Sequence, residues 1–517
     1  MITRFGELLT NIANRHPDEP ATTCLGRTRT WNEVHQRCKS VAFWLEGNGL
    51  HAGDRVAYLG FNSDILFELY FAPSMAGCEL VVMNFRWSLP ECAAALEDTA
   101  PSVLVFDTDH AELAIAAARK CPSIRYLVCT DPSGPNDTVF YEEIANTPSS
   151  PMSRGSGGDD TLVIYFTGGT TGRSKGVMIS HTNMMTNALG APPIMRNEQA
   201  RAQIIIGPLF HMAPGSRIYS AVLLNAHTVI MPKFDMVEMM QLIERHQIHA
   251  VTMVPTMMHM LLEHPEFASY DLSSLGPIML GGAPTPPDLL DRALAAFPGA
   301  KFSNGYGMTE MSNLIAALTP EYHVLEGPLS GKLQSVGKPV PYLDVRIFDS
   351  EDREVQRGEI GEIVTRGPTV MKGYLNRPEE TAQALRNGWF HTGDMGYIDS
   401  DGLLYISGRA KDMIITGGEN VYPTEVEDVL SLHPDVSQVA VIGVPDPKWG
   451  EAVHAVIIPT AGSPQDAEAL LKHCRAHLAG YKCPKSFNFR QEPMPLSGAN
   501  KVLKTVLRDQ YAGDRND

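Results

Sequence analysis

The stretch Thr161–Ser180, TLVIYFTGGTTGRSKGVMIS, decides how the chain is read: a β-rich run, TLVIYF, passes straight into a segment of glycines, threonines and cations. That segment comprises Thr167, Gly168, Gly169, Thr170, Thr171, Gly172, Arg173, Ser174, Lys175 and Gly176. Its composition suits a polyphosphate. Glycines let backbone N–H groups approach an anion, threonine hydroxyls add donors, and Lys175 contributes a mobile positive charge. The Gly and Lys are not in GxxxxGK[ST] register, so this is not a Walker A loop. Gly172 to Gly176 also fits G-x-S-x-G, the nucleophile elbow of serine hydrolases, which needs a strand immediately before it and a helix immediately after. Here the strand ends near Phe166 and the following VMIS is β-like, so a serine hydrolase is kept only as a remote alternative.

Outward from this loop, β-rich and helical patterns alternate as far as Asn304. QIIIG at 203–207 is followed by helix-like DMVEMMQLIERH at 235–246, then HAVTMV at 249–254 and helix-like TMMHMLLEH at 256–264. PIML at 277–280 and PPDLLDRALAAF at 286–297 continue the series. Alternation of this kind predicts a parallel sheet covered by helices. After Gly331 the turn chemistry changes: DVRIFD, GEIVTRG and YIDSDGLLYIS read as antiparallel β-structure, with Asp401-Gly402 as a hairpin turn. From about Arg409, VSQVAVIGV and EAVHAVIIP read as strands flanked by helix-like TEVEDVLS and DAEALLKHCRAHL, a small α+β unit. SRGSGGDD at 153–160 reads as a flexible connection before the loop.

The totals bound the possible functions. At 517 residues the chain should form two or three domains, given roughly 150 residues for each. Hydrophobic content of 44% with 20% charged residues is that of a globular protein. Lys plus Arg number 42 and Asp plus Glu 59, a net −17, which opposes nucleic acid and anionic membranes. Eight cysteines form no CxxC pair and the sequence opens without the apolar run of a signal peptide, so a reducing cytoplasm is expected. No apolar run approaches the ~18 residues that span a bilayer. Phe5, Leu8, Leu9 and Ile12 make an amphipathic stripe that should dock on its own domain.

The string FTGGTTGRSKG resembles the signature of the adenylate-forming superfamily, which includes acyl- and aryl-CoA synthetases and peptide-synthetase adenylation domains. The resemblance continues in order through PLFHMAP at 208–214, LGGAP at 280–284, NGYGMTE at 304–310, FHTGD at 390–394, GRAKDMIITGGENVYPTEVE at 408–427, DPKWGE at 446–451 and PLSGANKVLK at 495–504. It implies an α/β fold: a large N-terminal domain, 1–408, of parallel α/β subdomains and a β-barrel-like subdomain, and a small mobile α+β lid domain, 409–517. The implied activity is that of an AMP-forming acid-CoA ligase with ATP, Mg²⁺ and coenzyme A as cofactors and a small-molecule carboxylic acid as substrate. A homodimer is left open.

Roles follow from the same resemblance. Lys501 reaches the carboxylate and α-phosphate and stabilises the transition state. Family members usually have Thr-Gly before this lysine where this chain has Ala499-Asn500, and Asn tolerates positive φ best among non-glycine residues. Glu310 holds Mg²⁺, a hard cation preferring oxygen, and Thr309 donates to the α-phosphate. Tyr306, within Asn304-Gly305-Tyr306-Gly307, stacks on adenine, with Gly281, Gly282, Ala283 and Pro284 as the other wall. Asp394 accepts the ribose hydroxyls with help from Arg409, and Lys411 marks the hinge about which the lid rotates. His211 lies near the carboxylate. Gly417 and Gly418 admit the pantetheine arm, and Trp449 stacks on the coenzyme adenine. Apart from the resemblance, the run 472–485, which includes Lys485, has four Lys/Arg and no acid, a composition that suits the coenzyme's nucleotide phosphates.

Each residue also has a structural reading: Tyr306 and His211 as core groups, Asp394 as half of an ion pair, Trp449 as a bare surface ring. Cys483 is not expected to act as a nucleophile, and His246 and His249 have no frame for a zinc site. No aspartate stands in PLFHMAPGSR to hold an α-amine. The acid pocket is expected from 211–217, 253–257, 279–283 and 304–312, where Met253, Met257, Met279, Met308 and Met311 favour an apolar medium-chain, aromatic or alicyclic acid. Arg217 could instead meet a polar group. The competing readings are adenylation that serves a carrier protein or an oxygenation, and a non-catalytic binding protein on the same scaffold.

Overall fold

A computed structural model describes residues 4–148, 155–167, 174–196, 199, 201–281, 285–417, 419–496 and 502–511. Gly168, Gly169, Thr170, Thr171, Gly172, Arg173, Gly282, Ala283, Pro284, Gly418 and Lys501 lie outside the described residues. The chain divides into two compact units, one of residues 1–344 with 366–388, the other of 345–365 with 389–517.

In the first unit the alternation foreseen from Thr161 onward becomes two sheets. Among the described residues one has nine strands, in which Ala202–Ile205, His227–Ile230, Ala250–Met253, Pro277–Gly281 and Lys301–Met308 run parallel to one another, and Lys301–Met308 pairs antiparallel with Asn313–Leu318 on its other side. Its helices start where side chains can close the first turn: the Asp235 carboxylate accepts from Glu238 N ahead of Met236–His246, and Pro255 and Pro287 open the next two. Those helices bury Met239, Met240, Ile243, Met258, Leu261 and Leu290 on the sheet. Each such side chain is worth about 1.5–3 kcal/mol on removal from water.

The second sheet has eight strands among the described residues and contains the loop hairpin: Thr161–Thr167 runs parallel to Glu79–Val82 and antiparallel to Lys175–Ser180. Ser180 ends that strand and caps the helix His181–Ile194 through Asn183 N. The amphipathic helix Phe5–Arg15 docks on its own unit, with Phe5 fully buried and its ring 4.5 Å from that of Tyr219. An ion network of buried Arg29 and Arg37 and exposed Arg27 against Asp64, Glu68 and Glu142 ties the early strand and helices together.

In the second unit the antiparallel β-structure expected after Gly331 is a sheet of four strands among the described residues, 344–348, 361–366, 390–398 and 404–409. Gly402, at φ +80°, makes the turn between its last two strands. A sheet with five strands among the described residues follows, in which Val436–Asp446 and Gly450–Pro459 form a long antiparallel pair. The helices Pro423–Ser431 and Ala467–His477 bury Val426, Leu430, Leu470 and Cys474 against it. The expected domain boundary at 408/409 falls inside this unit. No described helix is long and apolar enough to cross a membrane.

Candidate active site

The loop hairpin sets the register of the site. Thr167 and Lys175 are the last cross-strand partners before the connecting loop. Ser174 leads directly into the strand Lys175–Ser180, and no helix begins before His181. This removes the serine-hydrolase alternative, because the strand-to-helix corner that exposes an elbow serine is missing.

Along the outer edge of that strand lies the two-residue strand Gly373–Tyr374, paired Tyr374 to Val177. This edge brings four groups together. The Lys175 ammonium stands 5.0 Å from the centroid of the Tyr374 ring and pairs with the Glu380 carboxylate. The Tyr374 hydroxyl donates to Glu310 Oε1 at 3.0 Å, and Met371 N donates to Glu310 O at 2.8 Å. Burial, then the carboxylates of Glu310 and Glu380, push the Tyr374 phenol above its ordinary pKa, so it stays a donor at working pH. Lys175 and Glu310 were legible in the sequence. Tyr374 and Glu380 were missed, because a two-residue strand shows no periodicity.

Glu310 sits in a 3-10 turn, Thr309–Met311, that joins Lys301–Met308 to the antiparallel strand Asn313–Leu318. The turn is tight: Ser312 and Asn313 have φ of +55° and +113°. Gly307 is needed there, since a Cβ on it would fall 1.4 Å from Asn313 O. Asn304 is buried and points inward, with Nδ2 3.4 Å from Thr285 Oγ1 and Oδ1 3.2 Å from His323 Nε2. Tyr306 is 9% exposed on the same strand. A Cβ on Gly305 would touch Leu314, Met279 and Met195.

His211 occupies the N-cap position of the helix Met212–Leu224, with its ring centroid 4.3 Å from that of Phe210. A pocket lies beside this helix, walled by Ala191, Pro192, Met195, Leu224, Met279 and Leu314, with Arg217, Ser216 and Asn187 among its polar lining. It overlaps the expected acid pocket only in part. Met253 and Met257 pack in the core of the nine-stranded sheet, and Met311 is fully buried.

The second unit holds the remaining candidates. Asp394, 6% exposed, accepts from Arg409 Nε at 3.1 Å, as the register of their strands dictates. Lys411 lies in the turn that follows, where partial burial, opposed by Asp412, holds its ammonium below its ordinary pKa. Gly417, at φ +62°, donates its N–H to Trp449 O at 2.8 Å, and a Cβ there would meet the indole at 2.8 Å. The Trp449 ring is 41% exposed, under the Lys448 ammonium at 4.5 Å. Lys485 is exposed on the surface, while Lys482 of the same basic run is bound to Glu425 at 2.6 Å.

Parallel strands feeding an anion-suited hairpin, with a carboxylate and an ammonium beside it, define a nucleotide-handling enzyme class. Residues 9–375 match the AMP-binding enzyme family and residues 425–501 match the AMP-binding enzyme C-terminal domain; the chain belongs to this family. It is 40% identical over 505 residues to a feruloyl-CoA synthase from Amycolatopsis, covering 96% of this chain and 97% of that protein. It is 33% identical to the fatty acid–[acyl-carrier-protein] ligase ScoC of Streptomyces coeruleorubidus, covering 97% and 95%. The o-succinylbenzoate CoA synthetase of Bacillus subtilis, solved with its acyl-adenylate intermediate, superposes with a TM-score of 0.83 at 29% identity, over 98% of both chains.

Proposed function

We propose that this chain is an ATP-dependent acid-CoA ligase. A carboxylate oxygen attacks the α-phosphorus of ATP, the bond to the bridging oxygen breaks, and pyrophosphate leaves. The coenzyme A thiolate then adds to the acyl carbon and AMP departs, giving the thioester. The observation that carries this reading is the Lys175, Tyr374 and Glu310 cluster at the edge of the hairpin, a cation and an oriented carboxylate where a polyphosphate would be handled. Bringing two anions together requires such charges.

The donor chemistry fits Mg²⁺: Glu310 offers a hard carboxylate held by a tyrosine hydroxyl, and Mg²⁺ is commonly bound through one or two carboxylates together with substrate phosphates. When bound, the ion would neutralise charge on the phosphates. In the same reading Lys501 supplies the decisive ammonium from a mobile lid of residues 409–517 hinged at Lys411, Asp394 and Arg409 take the ribose, and Gly417 with Trp449 guides the coenzyme. The eight free, buried cysteines accord with a cytoplasmic site of action.

The apolar pocket walls and the similarity to a feruloyl-CoA synthase favour an aromatic acid. The similarity to a carrier-protein ligase supports a second reading, transfer to a carrier thiol. The two part on one assay. With an aromatic acid and ATP, free coenzyme A should yield a thioester and AMP; acid-dependent pyrophosphate exchange with no thioester from free coenzyme would select the carrier reading.

A further inference from the structure

The pocket beside the helix Met212–Leu224 contains a charge the protein does not balance. Arg217 Nε donates to Gln203 Oε1 at 3.1 Å and Nη1 donates to Thr252 Oγ1 at 2.9 Å, both neutral acceptors. Gln203 is itself fixed by donating to Thr228 Oγ1 at 3.1 Å and to Arg217 O at 3.2 Å. Among the described residues no carboxylate pairs with Arg217, and Nη2 makes no hydrogen bond. Arg217 is only partly exposed and lines this pocket. Burial lowers the guanidinium pKa to about 10, which leaves it a cation at neutral pH.

A second polar group in the same pocket is unsatisfied. Asn187 is 1% exposed and its Oδ1 has no hydrogen-bond partner. Buried arginines are ordinarily matched by carboxylates, as Arg29 and Arg37 are elsewhere in this unit. A held guanidinium facing a cavity with apolar walls is a donor set aside for a ligand. The pocket also adjoins the strand that carries the nucleotide-site candidates, since Gly305 backs onto Leu314, Met279 and Met195.

We propose that Arg217 is a specificity-determining residue, and that the acid this site selects carries an oxygen acceptor at the end of its acyl group remote from the reacting carboxylate. This rests on the ligase reading. A hydroxyl can accept from Arg217 while donating its own proton to another acceptor. A second carboxylate could answer Arg217 alone.

The test compares cinnamic, 4-hydroxycinnamic and 4-carboxycinnamic acids in acid-dependent pyrophosphate exchange, with wild type, Arg217→Met and Arg217→Lys. A hydrogen bond to a charged group should favour an oxygenated acid roughly ten- to a hundredfold in kcat/KM, mostly through KM. Arg217→Met should abolish that preference, read as the ratio of kcat/KM between oxygenated and plain acids within each enzyme, and Arg217→Lys should restore part of it. Preference for the hydroxy or the carboxy acid identifies the oxygen. Wild-type enzyme that treats all three acids alike would overturn the proposal without any variant. So would an Arg217→Met enzyme that folds but loses the same factor on every acid. Absence of exchange with any acid would instead count against the ligase reading itself.

Discussion

Replacing Tyr374 by phenylalanine removes one hydroxyl and leaves the ring under Lys175 in place. The hydroxyl donates to Glu310 Oε1 at 3.0 Å, and a hydrogen bond to a charged group is worth about 1.5–3 kcal/mol. Tyr374 and Glu310 are each only half-buried, so water can partly replace the lost donor and the lower end applies, about 1.5 kcal/mol or roughly tenfold in rate. Because the hydroxyl acts through Glu310, the loss should appear as a dependence on the metal. Pyrophosphate exchange measured against free Mg²⁺ at saturating acid should need about tenfold more Mg²⁺, with a thermal midpoint close to wild type. Equal rates and equal Mg²⁺ dependence in Tyr374→Phe and wild type would show that this edge does not position the carboxylate.

Gly307→Ala should unfold or inactivate the first unit, because its Cβ would overlap Asn313 O, whereas Gly281→Ala, with nothing within 4 Å, should leave the thermal midpoint within about a degree or two. Asp394→Asn should raise the KM for ATP about tenfold at little cost in stability, since Arg409 is 44% exposed and such pairs contribute about 0–1 kcal/mol; an unchanged KM would leave Asp394 a structural partner only. Acid should destabilise the chain through His35, His181, His227 and His323, each held by burial at a pKa of about 4 against an ordinary 6.5. These folded pKa values are depressed, so the stability they protect is present above about pH 6.5 and is lost as pH falls toward 4, by up to about 1.4 kcal/mol per histidine and pH unit. A thermal midpoint that stays flat between pH 7 and 5 would contradict this.

The parallel α/β body was legible because its helices and strands carry clean periodicity: Met236–His246 shows the 3.6-residue stripe and a capping Asp235, and Ala250–Met253 a short apolar run. The hairpin was legible from composition, and VMIS was read as strand from β-propensity alone. What the sequence hid depends on distant pairing. Tyr374 meets Val177 across some two hundred residues of chain, and no local pattern announces such a partner. Met253 and Met257 show how a methionine suits a core as well as a pocket, since both pack against the nine-stranded sheet. Arg217 showed its charge in the sequence, but its lack of a counter-ion emerges only when Gln203 and Thr252 are seen to be its partners.

The most direct test of the central claim follows an oxygen atom. With an acid labelled with ¹⁸O in both carboxylate oxygens, ATP and coenzyme A, attack of the carboxylate on the α-phosphorus should deliver one label to the phosphate of AMP, leaving pyrophosphate unlabelled. Label appearing in pyrophosphate or inorganic phosphate, or AMP formed without label, would mean that the acid is not activated as its adenylate.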